Sequence, residues 1–290
     1  MSKEAGEPAH PEYRRWLGGP MLLIAAVIIL RFVLEVERVP KDITRLISAN
    51  VAGGLLLIYL GAVAPLRGIT RVKQMVLPAL VWSAWVSAWD TLALIVAAVF
   101  HLPGSHFADA PGMFQNWGHV GMHIFSHLVL ILPSTLIVLG LMSLLFSLRR
   151  WPVIVAPSAV LGGLVTLRYA AEAMNFAPTT AAAWSSTVGI LLCALYVGGI
   201  GPRMGLTSAR QLIIPSLVLA WMWRFWTFLA ALLSATPLYK THFFDPSQGR
   251  VAVRLLELFG VAVVAGAVAG ILVWGIAVWT SRVVQPAHAA

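Results

Sequence analysis

The chain has 290 residues, of which 59% are hydrophobic and 11% are charged, and its formal net charge is +9. Soluble domains carry about 25% charged residues, so this composition excludes an ordinary soluble enzyme and indicates a membrane protein. The positive charge does not indicate nucleic-acid binding, because most of the Lys and Arg residues flank apolar segments and none form a run longer than a pair. We therefore expect the lipid bilayer, and no nucleic acid, as a partner.

Eight apolar segments are long enough to cross about 30 Å of hydrocarbon, which takes about 20 helical residues. The first segment follows Arg14 and Arg15 as in a signal peptide, but no small-residue cleavage motif comes after it, so we expect a retained span. The sequence predicts an all-α integral membrane protein with about eight transmembrane helices, at 17–35, 46–65, 74–100, 116–147, 152–172, 183–202, 211–235 and 251–281.

The distribution of basic residues predicts the orientation of these spans. Short connections such as 66–73 and 148–151 contain Lys and Arg, whereas the connection at 101–115 contains neither. Under the positive-inside rule the basic connections face the cytoplasm. Basic residues at 36–45 and at 240–250 count against this orientation. We expect a multi-pass protein of the inner (cytoplasmic) membrane with both termini cytoplasmic.

The chain contains an internal repeat with an offset of 137 residues (196 − 59). Its clearest segment is Tyr59–Pro65, which reappears as Tyr196–Pro202. Chance similarity between apolar helices would yield matches of Leu, Val and Ala. At this offset, however, the matches also include Arg31 with Arg168, Glu35 with Glu172, Gln74 with Gln211, Pro78 with Pro215 and Trp89 with Trp226.

This repeat predicts a tandem duplication of a four-helix unit. Because four spans return the chain to the same side, both copies have the same direction across the membrane. We expect parallel repeats related by a pseudo-two-fold axis along the membrane normal. The first repeat then covers 17–150 and the second covers 151–282, between an N-terminal tail at 1–16 and a C-terminal tail at 283–290.

Two ionisable pairs lie near the outer ends of the first and fifth spans. Arg31 with Glu35, and Arg168 with Glu172, are spaced so that each pair lies on one helix face. Because Arg precedes Glu, which is the weaker order within a helix, each side chain is also a candidate partner for a neighbouring helix. Charged groups inside a membrane are costly and mark candidate functional sites. Two interpretations stand: a clamp between helices, and a polar vestibule that binds an anionic group.

Arg224 lies in the middle of the seventh span, with no carboxylate nearby in the sequence. We expect it to contact a polar interior, a lipid headgroup or a partner subunit. It lies in a cluster of tryptophans formed by Trp221, Trp223 and Trp226. The cluster predicts bulky packing, and the alternative is a flat aromatic pocket for a quinone or lipid.

Three histidines recur at every fourth residue of the fourth span: His119, His123 and His127. They share one helical stripe of about 12 Å, so a single ion can be held by an adjacent pair only. Asp90 in the third span has about the same depth as His127, and we expect the two to be in contact. In the second repeat Thr227 replaces Asp90, and the eighth span contains no histidine. The sequence therefore predicts a site in the first repeat alone.

Imidazole and carboxylate ligands suit Zn, Fe, Cu or Mn, and a loop residue such as His106 is a candidate further ligand. Haem is the other candidate cofactor, although a bis-His haem within one unit needs histidines on two facing helices. Two other interpretations of the histidines stay open. They pack in the core and hydrogen-bond locally, or they form a His/Asp ladder that relays protons.

The leading functional interpretation is a membrane or accessory subunit of a redox system that binds a metal or haem at a His/Asp site in the outer half of the first repeat. The first alternative is a small-molecule or proton-coupled transporter. The second is a non-catalytic assembly or lipid-binding subunit of a membrane protein complex. The sequence shows no nucleotide loop, nucleophile–base signature or cysteine cluster motif, which argues against a self-contained enzyme.

Overall fold

The computed structural model describes residues 13–44, 47–102, 117–235, 241–244 and 250–284. Within these ranges the chain is helical and has no β-strand, apart from an isolated bridge between Thr241 and Phe244. His106 and much of the two predicted tails lie outside the described residues.

The α-helices of the described ranges are α1 (Tyr13–Val36), α2 (Lys41–Thr44), α3 (Ala49–Val63), α4 (Val76–Val99), α5 (Trp117–Ser147), α6 (Pro152–Ala173), α7 (Pro178–Ala183), α8 (Ser186–Ile200), α9 (Ala209–Ser234) and α10 (Val251–Val284). Short 3₁₀ turns extend several of them, at Ala64–Arg67, Val72–Met75, Leu148–Arg150 and Gly201–Met204. With these turns included, 8 helical segments of the described chain are long and apolar enough to cross a membrane. The predicted number of spans is confirmed, and the chain is suited to a lipid bilayer.

The chain divides into two compact units, Met1–Ser147 and Leu148–Ala290. The boundary predicted from the sequence lies three residues later, after residue 150. In the first unit, α5 packs against α3 and α4, and α1 packs against the same two helices. The core contains large apolar side chains from all four helices, including Trp16, Leu60, Trp82, Met142 and Phe146.

A close helix contact holds α3 against α5 in the first unit. A Cβ atom built on Gly61 would lie 2.7 Å from the backbone oxygen of Met142, so only glycine fits there. Next to this contact, the indole N–H of Trp16 donates to the carbonyl oxygen of Leu60 at 3.0 Å. Helices α1, α3 and α5 are therefore fixed relative to one another by contacts to the backbone as well as by apolar packing.

In the second unit, α10 packs against α8 and α9, and α6 packs against the same two helices. A close contact of the same kind joins α8 to α10, because a Cβ atom on Gly198 would collide with the backbone oxygen of Ala277. The indole N–H of Trp274 donates to the carbonyl oxygen of Ala209 at 2.7 Å. Each unit thus places its last long helix directly against its second one.

Several local structures occur in both units at matching positions. The hydroxyls of Ser48 and Ser185 each accept a backbone N–H at a helix start, both at 3.4 Å. Gly68 and Gly205 follow matching 3₁₀ turns with φ of 77° and 83°. These values lie in the left-handed region that glycine adopts without strain, so both turns require glycine.

Candidate functional site

A cavity of about 280 Å³ lies inside the first unit. We call it the polar pocket. Every long helix of the unit contributes residues that are three or four positions apart, or adjacent at a helix start, so that each helix presents one face to it. The lining residues are Ile28 and Arg31 from α1, Ala49 and Asn50 from α3, Asp90 and Leu94 from α4, and His123 and His127 from α5.

The polar pocket lies toward one end of the unit. Ala49 and Asn50 are the first two residues of α3, whereas the C-terminal end of α3 leads into the 3₁₀ turn Ala64–Arg67, which contains a basic residue. Asp90 lies in the C-terminal half of α4, and His123 lies near the start of α5. The pocket is therefore at the opposite end of α3 from Arg67.

Three of the four predicted site residues line this cavity, namely Asp90, His123 and His127. The fourth, His119, is exposed and does not line it. Its Nε2 atom lies 3.1 Å from Nε2 of His123, and the two ring centroids are 4.7 Å apart. At this distance one imidazole donates its N–H to the other, so the donating ring carries a proton on Nε2 and the accepting ring does not. The structure thus connects an exposed histidine at the start of α5 to the polar pocket.

Charged side chains of both signs lie at the polar pocket. Arg31 lines the pocket and also donates from Nε to Oε1 of Glu35 at 3.0 Å, and Glu35 is buried. The guanidinium is thus paired within α1, although Arg-before-Glu is the weaker helical order. Asp90 adds a second carboxylate. Since Glu35 does not line the pocket, the charged residues that line it in the described chain are one arginine and one aspartate.

Asn50 is a pocket residue that the sequence analysis missed. A single amide at the start of α3 has no period and no charge, so nothing in the sequence singles it out. In the pocket it adds an oxygen acceptor and an N–H₂ donor. A small polar ligand there would thus meet groups that hydrogen-bond in both senses.

The predicted ligands do not form a closed metal site in the described part of the chain. There, no group of three or more His, Cys, Asp or Glu side chains is arranged to hold a metal ion. His119 and His127 cannot bind the same ion, because eight residues of helical rise separate them by about 12 Å. The arrangement therefore offers an imidazole pair, His119 with His123, and a pocket that is lined by Asp90, His127 and the same His123.

No family model, curated protein or solved structure matches this chain. Function is therefore inferred from the chemistry of its own residues. The second unit is the natural internal comparison, because it has the same set of long helices and different side chains.

In the second unit the Arg–Glu pair fixes a connecting segment. Arg168 Nε donates to Oε1 of Glu172 at 3.1 Å. The other oxygen, Oε2, accepts the backbone N–H of His242 at 2.9 Å and lies 2.6 Å from its Nδ1. Glu172 therefore ties the segment 241–244, between α9 and α10, to the end of α6. These contacts join α6 to a connecting segment, and both interpretations of the pair, a clamp between helices and a polar vestibule, stay predictions.

The position that matches Asp90 has no acid in the second unit. Thr227 occupies it, and its hydroxyl donates to the backbone oxygen of Arg224 within α9 at 2.8 Å. Its polarity is thus satisfied inside its own helix. Arg224 itself lies against an apolar groove between α9 and α10, with its guanidinium carbon 4.4 Å from the centre of the Trp223 ring.

Proposed function

We propose that the first unit conducts protons between His119 and the polar pocket, as part of a proton-coupled carrier of small molecules in the inner membrane. The observation that supports this proposal is the 3.1 Å contact between Nε2 of His119 and Nε2 of His123. It leads from an exposed side chain to a cavity that Asp90 also lines. Asp and His chains of this kind serve as proton relays in membrane proteins.

The chemistry of the relay follows from the two nitrogens of imidazole, one of which accepts a proton while the other releases one. A proton taken up by His119 passes from its Nε2 to Nε2 of His123. His123 then releases the proton on its Nδ1 to the carboxylate of Asp90, which lines the same pocket. After one passage His119 keeps a proton on Nδ1 and His123 keeps a proton on Nε2. Each ring returns to its starting tautomer by releasing this proton to water and taking up another on its other nitrogen.

The size and charge of the polar pocket define its substrate class. Sites for drug-sized ligands occupy about 300–1,000 Å³, and this pocket, at about 280 Å³, is at the lower end. The carboxylate of Asp90, the guanidinium of Arg31 and the amide of Asn50 favour a small and polar molecule. Haem is larger than a drug-sized ligand, so the pocket favours an ion or small molecule over haem.

A second candidate is a transition-metal site at the His119/His123 pair, in a membrane or accessory subunit of a redox system. The same 3.1 Å spacing supports it, because one Zn²⁺ about 2.0–2.1 Å from each nitrogen would fit between them. Water would supply the remaining ligands. Such a site is open and exchangeable, unlike a structural zinc site with four protein ligands.

We further propose that the two units are parallel repeats that arose by tandem duplication. The matching helix starts at Ser48 and Ser185 and the matching left-handed glycines support this. For orientation, we propose that both termini are cytoplasmic. Arg67 lies at the end of α3 remote from the polar pocket, and basic ends face the cytoplasm. The pocket would then open in the outer half of the membrane.

Proton flux into liposomes tests the relay. The full chain is reconstituted with a pH-sensitive dye inside, and a potassium diffusion potential drives protons inward. We expect uptake above that of empty liposomes, reduced to the empty level by Asp90→Asn and slowed by His119→Ala. The matched controls are Glu257→Gln, which changes an exposed carboxylate on α10, and His101→Asn, which changes an exposed histidine outside the pocket. Both should leave the flux unchanged.

Two results contradict the relay. One is flux no greater than in empty liposomes, and the other is unchanged flux in Asp90→Asn. Elemental analysis of the same preparations tests the second candidate. Stoichiometric metal that is lost in His123→Ala, without proton flux in the parent protein, would favour the metal site.

A further inference from the structure

One end of the first unit carries basic side chains without acidic ones. Two lie at the start of α1, one ends a 3₁₀ turn after α3, and two lie in the turn that leads into α4. We call this group the basic end, and its members are Arg14, Arg15, Arg67, Arg71 and Lys73. Four of them are exposed, and Arg67 is partly exposed. The described ranges 13–20, 64–79 and 140–147, where the helices meet this end, contain no Asp or Glu.

Helix contacts bring these basic residues to the same end of the unit. The indole N–H of Trp16, in the first turn of α1, donates to the carbonyl oxygen of Leu60, near the end of α3, and α1 also contacts the turn Ala64–Arg67. The indole N–H of Trp85 donates to the carbonyl oxygen of Met21 at 2.9 Å. Met21 is 8 residues (21 − 13) after the start of α1, and Trp85 is 9 residues (85 − 76) after the start of α4. The two helices therefore start at about the same level.

The turn that carries Arg71 and Lys73 is held in place by Gln74. The side-chain oxygen Oε1 of Gln74 accepts the backbone N–H of Thr70 at 2.8 Å and the backbone N–H of Arg71 at 2.9 Å. The same atom accepts the hydroxyl of Thr70 at 3.3 Å. Both cations therefore project from a hydrogen-bonded segment. Binding an anion there costs less conformational entropy than binding it on a loose loop.

The basic end lies at the level of lipid headgroups. Helix α4 has 24 residues, and it is about 36 Å long at 1.5 Å per residue, which exceeds the roughly 30 Å of hydrocarbon. Its start and the turn before it therefore reach the membrane surface. Directly after this turn α4 exposes Val76, Leu77 and Leu80, whose exposed fractions are 47%, 64% and 41%. Basic side chains at the surface thus lie next to an apolar strip that runs into the membrane.

We propose that the basic end binds the headgroup of an anionic phospholipid, with an acyl chain along the first turns of α4. The phosphodiester accepts charge-assisted hydrogen bonds from basic side chains, Arg71 and Lys73 foremost. The arginines at the start of α1 and after α3 add positive potential. Groups of about 4–8 Lys or Arg residues next to a transmembrane helix are typical of anionic-lipid sites. This proposal does not depend on the proton relay.

The chemistry of the site favours this occupant over two others. A soluble phosphate compound would meet the same cations, but it has no hydrocarbon chain to cover Val76, Leu77 and Leu80. A zwitterionic phospholipid brings its own cation among the basic side chains, where the described residues offer no carboxylate to pair with it. An anionic phospholipid is complementary to both the charges and the apolar strip.

Competition between two phospholipids tests the proposal. The full chain in detergent micelles is incubated with equal amounts of phosphatidylglycerol and phosphatidylcholine, and native mass spectrometry measures the lipids that the protein retains. We expect preferential retention of phosphatidylglycerol. Each basic residue near an anionic lipid contributes about fivefold in affinity, so Arg71→Gln/Lys73→Gln should weaken phosphatidylglycerol binding by about 25-fold.

Two further variants separate a site from general attraction to positive charge. Arg38→Gln/Arg254→Gln removes the same amount of charge from exposed positions, one just beyond the opposite end of α1 and one on α10. This control should bind phosphatidylglycerol as the parent does. Gln74→Ala keeps every basic residue and removes the acceptor that fixes the turn. It should weaken the binding by a smaller factor than Arg71→Gln/Lys73→Gln.

Equal retention of the two lipids overturns the proposal, as does equal loss of binding in the two double variants. Unchanged binding in Gln74→Ala contradicts a site on this turn. Displacement of phosphatidylglycerol by an excess of glycerol 3-phosphate would identify the ligand as a soluble phosphate compound, which also overturns the proposal. Thermal unfolding in detergent shows whether each variant is folded, and Arg14→Gln/Arg15→Gln carries the test if Arg71→Gln/Lys73→Gln is not.

Discussion

In the first unit Arg31 lines a cavity together with Asp90, His123 and His127, whereas in the second unit Thr227 stands where Asp90 would be and α10 has no histidine. The two units nevertheless start their second long helix with the same serine cap and end it with the same kind of turn. What they share is therefore local scaffold. What differs is ionisable chemistry inside the spans, which is costly to keep without a use.

The glutamates of the two Arg–Glu pairs also differ in what they contact. Glu35 is paired with an arginine that lines the polar pocket. Glu172, its counterpart, accepts from both Arg168 and His242 and so holds the segment 241–244. One motif of the sequence thus borders a cavity in the first unit and anchors a connection in the second. A motif that recurs in a chain does not have to recur in its role.

The largest effect is expected at the shared glycine contacts. Gly61→Ala and Gly198→Ala each place a methyl group against the backbone of the facing helix. Overpacking of this kind costs about 1–3 kcal/mol, partly offset by the roughly 1 kcal/mol that alanine gains over glycine in a helix. We expect both variants to lower the free energy of unfolding, measured by denaturation in mixed micelles.

The neighbouring glycine provides the control for this prediction. Gly199 has open space where its Cβ would lie, so Gly199→Ala should leave stability unchanged or raise it by up to about 1 kcal/mol. Equal stability of Gly198→Ala and Gly199→Ala would show that α8 and α10 do not approach as closely as described. If Gly198→Ala and Gly199→Ala differ in stability but Gly61→Ala and Gly140→Ala do not, the close helix contact is present in the second unit only.

An intermediate effect is expected where the two units differ in their acidic residues. Glu172→Ala removes the acceptor for the backbone N–H and the side chain of His242, so amide hydrogen exchange at 241–244 should accelerate. Hydrogen bonds to charged groups contribute about 1.5–3 kcal/mol. Because the side chain of His242 is partly exposed to solvent, we expect the free energy lost in Glu172→Ala to lie at or below the lower end of this range. Glu172→Gln keeps an oxygen acceptor for the N–H and should retain part of the protection.

The matched variant for this prediction is Glu257→Ala. It removes an exposed carboxylate that is paired with Arg254 at 3.6 Å, and exchange at 241–244 should not respond to it. Unchanged exchange in Glu172→Ala would contradict the assignment of Glu172 as the anchor of this segment.

The smallest effect is expected at the serine caps. Ser48→Ala and Ser185→Ala each leave a backbone N–H at a helix start without its acceptor. Loss of such a cap costs about 1 kcal/mol, and the two variants should have similar unfolding free energies because the contacts are alike. Ser147→Ala is the control, since this hydroxyl donates to a carbonyl near the end of α5 and caps no helix start. If Ser48→Ala and Ser185→Ala differ clearly in unfolding free energy, the two helix starts do not have the same local structure.

The sequence by itself determined the spans, because apolar length and helical rise are local properties. The predicted fourth span, 116–147, corresponds to Trp117–Ser147, and the predicted last span, 251–281, begins at Val251 and ends three residues before Val284. The same constant rise placed Asp90 and His127 at similar depth on antiparallel neighbours, and both line one cavity. The choice between a metal site and a relay was left open by these local rules.

Only the tertiary structure decided which faces of the helices meet. It brings Asn50 into the polar pocket, leaves His119 outside it and attaches His242 to Glu172. It also leaves the buried Nε1 of Trp223 and Nε of Arg224 without acceptors among the described residues, which no spacing in the sequence indicates. The physical reason is that membrane helices are apolar on all sides, so hydrophobic periodicity does not define an inward face. Their rotation is set instead by close packing, such as the fit of Gly61 against Met142 and of Gly198 against Ala277.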